Sequence, residues 1–485
     1  MVMATIGYVA GGNNSSGHRL AGLKMSTEPL MLTVSGLRGI AGTSLTSEVA
    51  CRYAESFGIW LKGTHQSDAP VHIVVGRDSR ASGQELELAV VAGLTNSGCQ
   101  VTRLGIATTP GVAIMTMDLH ATGGMVITAS HNPAPWNGIK LLRPDGAAPT
   151  ANQAEQIIAQ YHRTLPSTHI NESCSIPVNP NTVEIHVKKI LGIVDTALIQ
   201  KQRFKVVLDS LHGSGGPSTS LLLERLGVDL VHRHAEPTGQ FPHPPEPTAK
   251  NLGEFCHAVR QANCDIGFAQ DPDADRLAIV DETGRYIGEE YTLALCAMHL
   301  TSRQQARTPK VLVTNLSTSR MIDDIAASFN ATVKRTAVGE ANVADALRDY
   351  HGLLGGEGNG GVILPAISYV RDSLVGITLI LQMLAERGQR LSQIIDSMQQ
   401  YTIVKERFEI TDTIIERLEP TMRSHFSNHK IDARDGVRVD WPDRWVHVRA
   451  SNTEPIIRVI AEATDPSTSR ALVQEVGMLL TAQSN

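Results

Sequence analysis

Six cysteines in 485 residues (Cys51, Cys99, Cys174, Cys256, Cys264 and Cys296) include no CxxC pair. Such scatter excludes a disulfide framework and a cysteine-rich zinc site, and it suits a reduced, cytoplasmic chain. A basic excess is also lacking. The 43 Lys+Arg stand against 49 Asp+Glu, a formal net charge of −6. Phosphate backbones reward clustered positive charge, so nucleic acid is not an expected partner. Long apolar runs are missing too: the longest, residues 374–384, falls well short of the ~20 residues a bilayer demands, so no membrane partner is expected. The N-terminal stretch has no compact apolar block ending at a small-residue cleavage site. Residues 1–28 therefore read as a flexible leader and not as a secretory signal, with Met25 a candidate start of the folded part.

What is present is a repeated plan inside a globular composition, 42% apolar and 19% charged. At ~100–200 residues per domain, the length predicts about three to four domains. Each copy of the plan runs strand, polar loop, amphipathic helix, strand, and then a third strand ending in a polar motif. In the first copy VHIVVG (71–76) is followed by RDSRASG, a helix over about 84–94, CQVTRLGI and GGMVITASHNP. In the second, FKVVLDS (204–210) leads to LHGSGG, a helix to about Leu226, VDLVHRH and CDIGFAQDPDADR. In the third, KVLVTN (310–315) precedes a helix over about 320–328, then ATVKRTAVG and GLLGGEGNGG. Apolar, β-branched strands alternating with helices predict βαβ units and largely parallel sheets, with ligands outside the carboxyl ends of the strands. After about Tyr401 the plan changes to a helix near 413–424, short strands (GVRVDW, RWVHVRA, PIIRVIAEA) and a final helix over 466–480. The expected fold is α/β: three related α/β domains with mixed, largely parallel sheets plus a C-terminal α+β domain around a central cleft. The expected boundaries are 29–170, 171–282, 283–402 and 403–485.

Four motifs carry chemistry. TASHNP (128–133) puts Ser130 at a strand end, where a serine can be an exposed nucleophile or phosphate carrier, or simply cap a turn. His131 and Lys140 nearby can donate to phosphate oxygens or move a proton. DPDADR (271–276) sets Asp271, Asp273 and Asp275 on alternate positions, which aims three hard oxygens to one side and suits Mg²⁺ or Ca²⁺. An EF-hand is excluded because Arg276 takes the place of the required glycine and a strand follows. GGEGNGG (355–361) offers a close-approach loop with one carboxylate, Glu357, and one amide, Asn359, a pairing that can hold sugar hydroxyls. RASNTEPIIR (449–458) surrounds Ser451, Asn452 and Thr453 with Arg449 and Arg458, the makings of an anion nest or of a capped turn. Arg38 in SGLRG can face the same cleft, whereas Arg77, Asp78 and Arg80 read as a structural ion-pair loop.

In this order, TASHNP, DPDADR, GEGNGG and RASNTEP resemble the α-D-phosphohexomutase family, over nearly the whole chain. The resemblance implies a heart-shaped four-domain enzyme in which Ser130 is the phosphoserine and also offers an oxygen to the metal. It implies that Asp271, Asp273 and Asp275 hold one Mg²⁺ and that Arg38, Lys140, His131 and Arg276 line the reacting centre, Lys140 as a candidate general acid/base. It further implies that Thr336, Gly339, Glu357 and Asn359 meet the sugar, and that Arg449, Ser451, Asn452, Thr453 and Arg458 hold the distal phosphate. A hexose phosphate substrate, a hexose 1,6-bisphosphate activator and a monomer or homodimer follow from the same resemblance. Many bacterial members carry Ser where Asn359 stands and His where Gly361 stands, so that histidine's proton-transfer role must fall to another group. GEGNGG is familiar from phosphoglucosamine mutases, while RxSNTEP also occurs in phosphomannomutase/phosphoglucomutase enzymes. A Mg²⁺-dependent sugar phosphatase, using an Asp nucleophile, and a non-catalytic sugar-phosphate sensor are the competing classes.

Overall fold

The computed structural model describes residues 30–67, 69–165, 176–303, 310–409, 412–450 and 456–481. The leader, Cys174, Ser451, Asn452 and Thr453 lie outside the described residues.

One course of strand, helix, strand, helix, strand is laid down three times. It begins as His72–Arg77, Gly83–Asn96, Gln100–Ile106, Thr109–Asp118 and Gly123–Ile127. It recurs as Lys205–Asp209, Gly215–Arg225, Asp229–Arg233, Gly253–Ala262 and Ile266–Gln270. Its third appearance is Val311–Asn315, Met321–Ser328, Thr332–Thr336, Glu340–Asp349 and Leu354–Glu357. Within each copy the first strand pairs in parallel with both the second and the third. A fourth strand then returns antiparallel along the third: Trp136–Leu142, Leu277–Asp281 and Gly361–Ile363 respectively. The reversal follows from the short connection, since a parallel return needs a crossover of about a dozen residues or more. All three sheets thus share the order fourth, third, first, second, and the first is extended by Gly36–Ile40 and Met31–Thr33.

Local sequence explains where the helices begin. Thr108 caps Thr109–Asp118 by accepting from the Gly111 N–H, with Pro110 in the first turn,. Asp372 caps Ser373–Arg387 through the Leu374 N–H, and Gly388, left-handed at φ 60°, ends it,. That helix contains the longest apolar run of the chain. It is buried on every side from Ser373 to Ala385 and sits in a core shared by the second and third copies, among Leu208, Phe268, Leu277, Leu312 and Leu364. A helix apolar all round needs such a core, and each of its buried Leu or Ile side chains contributes about 1.5–3 kcal/mol. Among the described residues no helix is long and apolar enough to cross a membrane.

The last domain is a five-stranded antiparallel sheet in the order Thr402–Glu409, Ile456–Ala463, Trp445–Ala450, Val437–Asp440, Lys430–Asp432, with Asp412–His425 and Pro466–Thr481 against one face. The sequence reading names only the middle three strands. Thr402–Glu409 escapes it because KERFE carries its charges on an exposed edge, and Lys430–Asp432 is only three residues long.

Candidate active site

The three motifs occupy equivalent positions, in the turns that join third to fourth strand. They fall between Ile127 and Trp136, between Gln270 and Leu277, and between Glu357 and Gly361. Each turn contains a residue in the left-handed region: Ser130 (φ 48°), Ala274 (φ 56°) and Gly360 (φ 85°). For a non-glycine this conformation costs about 1–3 kcal/mol, so the surroundings must enforce it.

At Ser130 the enforcing group is Arg80. Its guanidinium, 2% exposed, donates to the carbonyls of Ser130 (2.5 Å), Asn132 (2.7 Å), Pro133 (2.9 Å) and Trp136 (3.0 Å). Asp78 accepts from the Arg80 Nε at 3.0 Å and from the Thr128 hydroxyl at 2.7 Å, while Thr128 Oγ1 accepts from the Ser130 N–H at 2.8 Å. The ion pair read from GRDSR is present between Asp78 and Arg80, but Arg77 turns away to Glu87 at 3.0 Å. Sequence reasoning missed that Arg80 builds the serine turn, because its partners are backbone carbonyls and leave no side-chain signature.

Ser130 Oγ donates to Asp271 Oδ2 at 2.7 Å across the gap between the first two sheets. Asp271, Asp273 and Asp275 are fully buried, and their carboxylate oxygens lie within 4.8 Å of one another. Asp271 Oδ1 accepts from the N–H groups of Asp275 and Arg276, each at 3.1 Å. Asp273 Oδ2 accepts from Thr109 Oγ1 at 2.6 Å and from Lys140 Nζ at 2.7 Å, and Lys140 also reaches Asp275 Oδ2 at 3.2 Å. Asp273 Oδ1 and Asp275 Oδ1 have no hydrogen-bond partner although both are buried. Two buried carboxylate oxygens without a hydrogen-bond donor are costly, and their hard character fits a divalent cation beside the Ser130 hydroxyl,. The charges register the crowding. Burial and the neighbouring Asp275 and Asp273 push the Asp271 carboxyl well up, whereas at Asp275 Arg371, Lys140 and Arg276 outweigh burial and hold it below the usual range. Burial, with Arg276 and Arg38 close by, pushes His131 down to about 2, so its ring is neutral, with Nδ1 3.4 Å from Ser130 Oγ. Lys140 is moved up despite its burial by Asp273 and Asp275 and is an ammonium. Arg38 donates to Asn132 Oδ1 at 3.1 Å, and Arg276 Nε lies 3.8 Å from Asp275 Oδ1.

In the glycine turn, Glu357 is 5% exposed and ringed by donors: Arg371 Nη1 (2.6 Å), Asn315 Nδ2 (2.8 Å), the Gly339 N–H (3.2 Å) and Asn359 Nδ2 (3.4 Å). Gly356 must be glycine, since at φ 156° a Cβ would lie 2.2 Å from the Gly361 carbonyl oxygen,. Thr336 ends its strand with its hydroxyl on the Ala337 carbonyl (2.8 Å), so of the TAVG pair only Gly339 reaches Glu357. The second and third turns also touch through backbone, with the Leu277 N–H on the Gly360 carbonyl at 3.0 Å.

Family models cover the chain in four consecutive segments. Phosphoglucomutase/phosphomannomutase alpha/beta/alpha domains I, II and III match residues 30–167, 184–284 and 289–401, and the C-terminal domain matches 423–477. The chain belongs to the phosphoglucomutase/phosphomannomutase family. A phosphoglucomutase/phosphomannomutase of Thermococcus kodakarensis is 37% identical over 92% of this chain and 97% of its own length. A probable phosphoglucosamine mutase of Methanopyrus kandleri is 33% identical over 91% and 95%. A family protein of Burkholderia thailandensis has a crystal structure that superposes with a TM-score of 0.81, at 25% identity over 94% of this chain and 98% of that one. The reaction class is isomerisation by phosphoryl transfer within a sugar phosphate.

The mutase fold places the described distal arginines together. Arg449 stands directly opposite Arg458 in the antiparallel register, and Arg407 stands opposite Arg458 on its other side. Like charges in cross-strand register repel, so a row of three favours an anion. Arg407 lies in the strand that the sequence reading did not name. Arg449 also faces Asp435 at 3.5 Å, and Asp435 accepts from the Val338 N–H at 2.9 Å, which joins the TAVG loop to the last domain.

Proposed function

We propose that this mutase interconverts the 1- and 6-phosphates of a hexose through a phosphoserine at Ser130 and a hexose 1,6-bisphosphate, with glucosamine phosphate as the preferred substrate. The observation that carries the proposal is the 2.7 Å contact from Ser130 Oγ into the buried aspartate triad, which keeps two carboxylate oxygens for a cation. In the forward half-reaction the Ser130 Oγ–P bond breaks as a bond forms from phosphorus to the free sugar hydroxyl. The hydroxyl proton leaves to a base on the sugar side, and the departing Ser130 oxygen gains a proton, with His131, 3.4 Å from Ser130 Oγ, the group on the serine side,. In the second half-reaction the other phosphate returns to Ser130: the Ser130 hydroxyl gives up its proton, and the departing sugar oxygen regains one from the group that took it in the first half, for which Lys140 is the candidate. Asp271, Asp273, Asp275 and the serine oxygen would hold one Mg²⁺, which when bound offsets charge on the transferring group. Glu357 and Asn359 meet the sugar hydroxyls. Because a hydroxyl donating to Glu357 competes with donors already there, Asn359 at 3.4 Å is the one that swings off to the sugar. Arg449 and Arg458, with Ser451, Asn452 and Thr453, hold the phosphate that does not react, so either end of the bisphosphate must fit there.

The substrate preference rests on the GEGNGG turn, in which Asn359 and Gly361 replace the Ser and His of many bacterial members. Phosphomannomutase/phosphoglucomutase activity is the alternative, favoured by the RxSNTEP motif. Isomerisation of glucosamine, glucose and mannose phosphates, with Mg²⁺ and a trace of the bisphosphate, ranks them. Ser130→Ala is expected to lose on the order of 10³-fold or more in rate, as removal of a nucleophile does. A fully active variant, or release of phosphate to water instead of isomerisation, sinks the phosphoserine reading.

A further inference from the structure

The residue at 361 has an ordinary backbone, yet a side chain there would displace a neighbour. A Cβ built there would lie 2.0 Å from Arg371 Cδ and 2.7 Å from its Cγ. The glycine is therefore the partner of Arg371, whose stem fills the space that a side chain at 361 would occupy. Arg371 is buried and forks between loops of two different domains. Its Nη2 donates to Asp275 Oδ2 at 2.6 Å and its Nη1 to Glu357 Oε2 at 2.6 Å, while its Nε lies 2.8 Å from Glu340 Oε2 at the start of Glu340–Asp349. One planar guanidinium thus fixes the orientation of a carboxylate in the aspartate triad and of the carboxylate in the glycine turn together. A guanidinium can do so because its donors are rigidly related, and a lysine ammonium cannot hold both in the same way.

We propose that Arg371 is a positioning residue that couples cation binding at Asp271, Asp273 and Asp275 to sugar binding at Glu357. The inference rests on the mutase reading above. Any pull of a cation on Asp275 is passed through the fork to Glu357, and by reciprocity a sugar that orders Glu357 sharpens the cation site. Removal of the fork leaves the two turns joined by the backbone bond from the Leu277 N–H to the Gly360 carbonyl.

The test is calorimetric binding of hexose 6-phosphate and of inorganic phosphate to the full chain, each with and without Mg²⁺. Inorganic phosphate reports the plain attraction between cation and anion. The excess tightening seen only with the hexose phosphate reports the coupling, expected at about 5-fold or more, the lower end of ordinary couplings. Arg371→Lys keeps the charge but not the fork, and the excess is expected to fall below about 2-fold. Gly361→Ala keeps the arginine but pushes on its stem, and it should lose the excess likewise. Should Arg371→Lys fail to fold by thermal melt, Gly361→Ala decides. Wild type without an excess, or an excess retained in the deciding variant, overturns the coupling. Wild type that binds no hexose phosphate under either condition instead overturns the mutase reading on which it stands.

Discussion

The turn at residues 271–276 and the turn at residues 357–361 hold the same place in two copies of one sheet, and they treat their carboxylates in opposite ways. In the first, three buried aspartates crowd together and two of their oxygens have no hydrogen-bond partner. In the second, a single buried glutamate is surrounded by four donors. An unpartnered buried carboxylate oxygen is a demand for a cation, whereas a saturated one is a shaped acceptor that exchanges a weak donor for a ligand hydroxyl. The repeated fold therefore supplies a position, and the polar groups delivered by neighbouring domains decide its chemistry.

The largest effect expected from this contrast is at the acid turn. Asp273→Asn removes an unpartnered oxygen and should lower kcat by about 10²-fold or more, on the several kcal/mol a metal supplies to charge stabilisation. Calorimetric titration with Mg²⁺ should lose its heat in the same variant, and undiminished Mg²⁺ binding would break the contrast. Glu357→Gln should act mainly on KM, by about 10-fold, the worth of one charged hydrogen bond, and should leave the chain able to bind Mg²⁺. A fall confined to kcat there would mean that Glu357 serves the chemistry and not the sugar. Arg80→Lys tests whether the serine turn is as dependent on a clamp. Losing most of four donations to carbonyls should cost about 10-fold in kcat with KM little changed, and should lower Tm by several degrees. An unaltered kcat at a lowered Tm would leave Arg80 a purely structural group.

The smallest effect is expected away from the turns, at the joint with the last domain, and it is a pH effect. His447 Nε2 lies 2.7 Å from the Asp435 carbonyl, which can only accept, so Nδ1 accepts from the Ser317 hydroxyl at 2.8 Å. Burial presses this imidazole from 6.5 down to about 4, so the fold holds it neutral where an unfolded chain would protonate it. Its contribution to stability is whole above pH 6.5 and declines as pH falls toward 4,. Thermal melts across that window should show Tm dropping, and His447→Gln should flatten part of the drop. A variant that melts with the wild-type pH slope would remove His447 from the account.

How much of this could be read from the residues alone varies along the chain. The strands and helices of the three copies announce themselves because period and β-branched content report burial within a short window. DPDADR was legible as a cation site because three acids on alternate positions repel one another unless something positive joins them. In the sequence Arg80 reads only as half of an ion pair, and nothing beside Arg371 marks it out. Each acts on groups far away in sequence: Arg80 on carbonyls around residue 130, Arg371 on Asp275 and Glu357. The edge strand Thr402–Glu409, and Arg407 with it, was hidden by the charge that edge strands carry against unwanted pairing.

By itself, then, the sequence determined the α/β class, the threefold repeat and the four motifs, since these depend on local periodicity and on the chemistry of neighbouring residues. Only the tertiary structure decided that the motifs sit in equivalent turns, that Ser130 meets Asp271, and that the Arg371 stem lies where a side chain at Gly361 would be. Those facts depend on which backbone atoms and charges arrive from other domains, and contact between residues distant in the chain leaves no periodic trace within it.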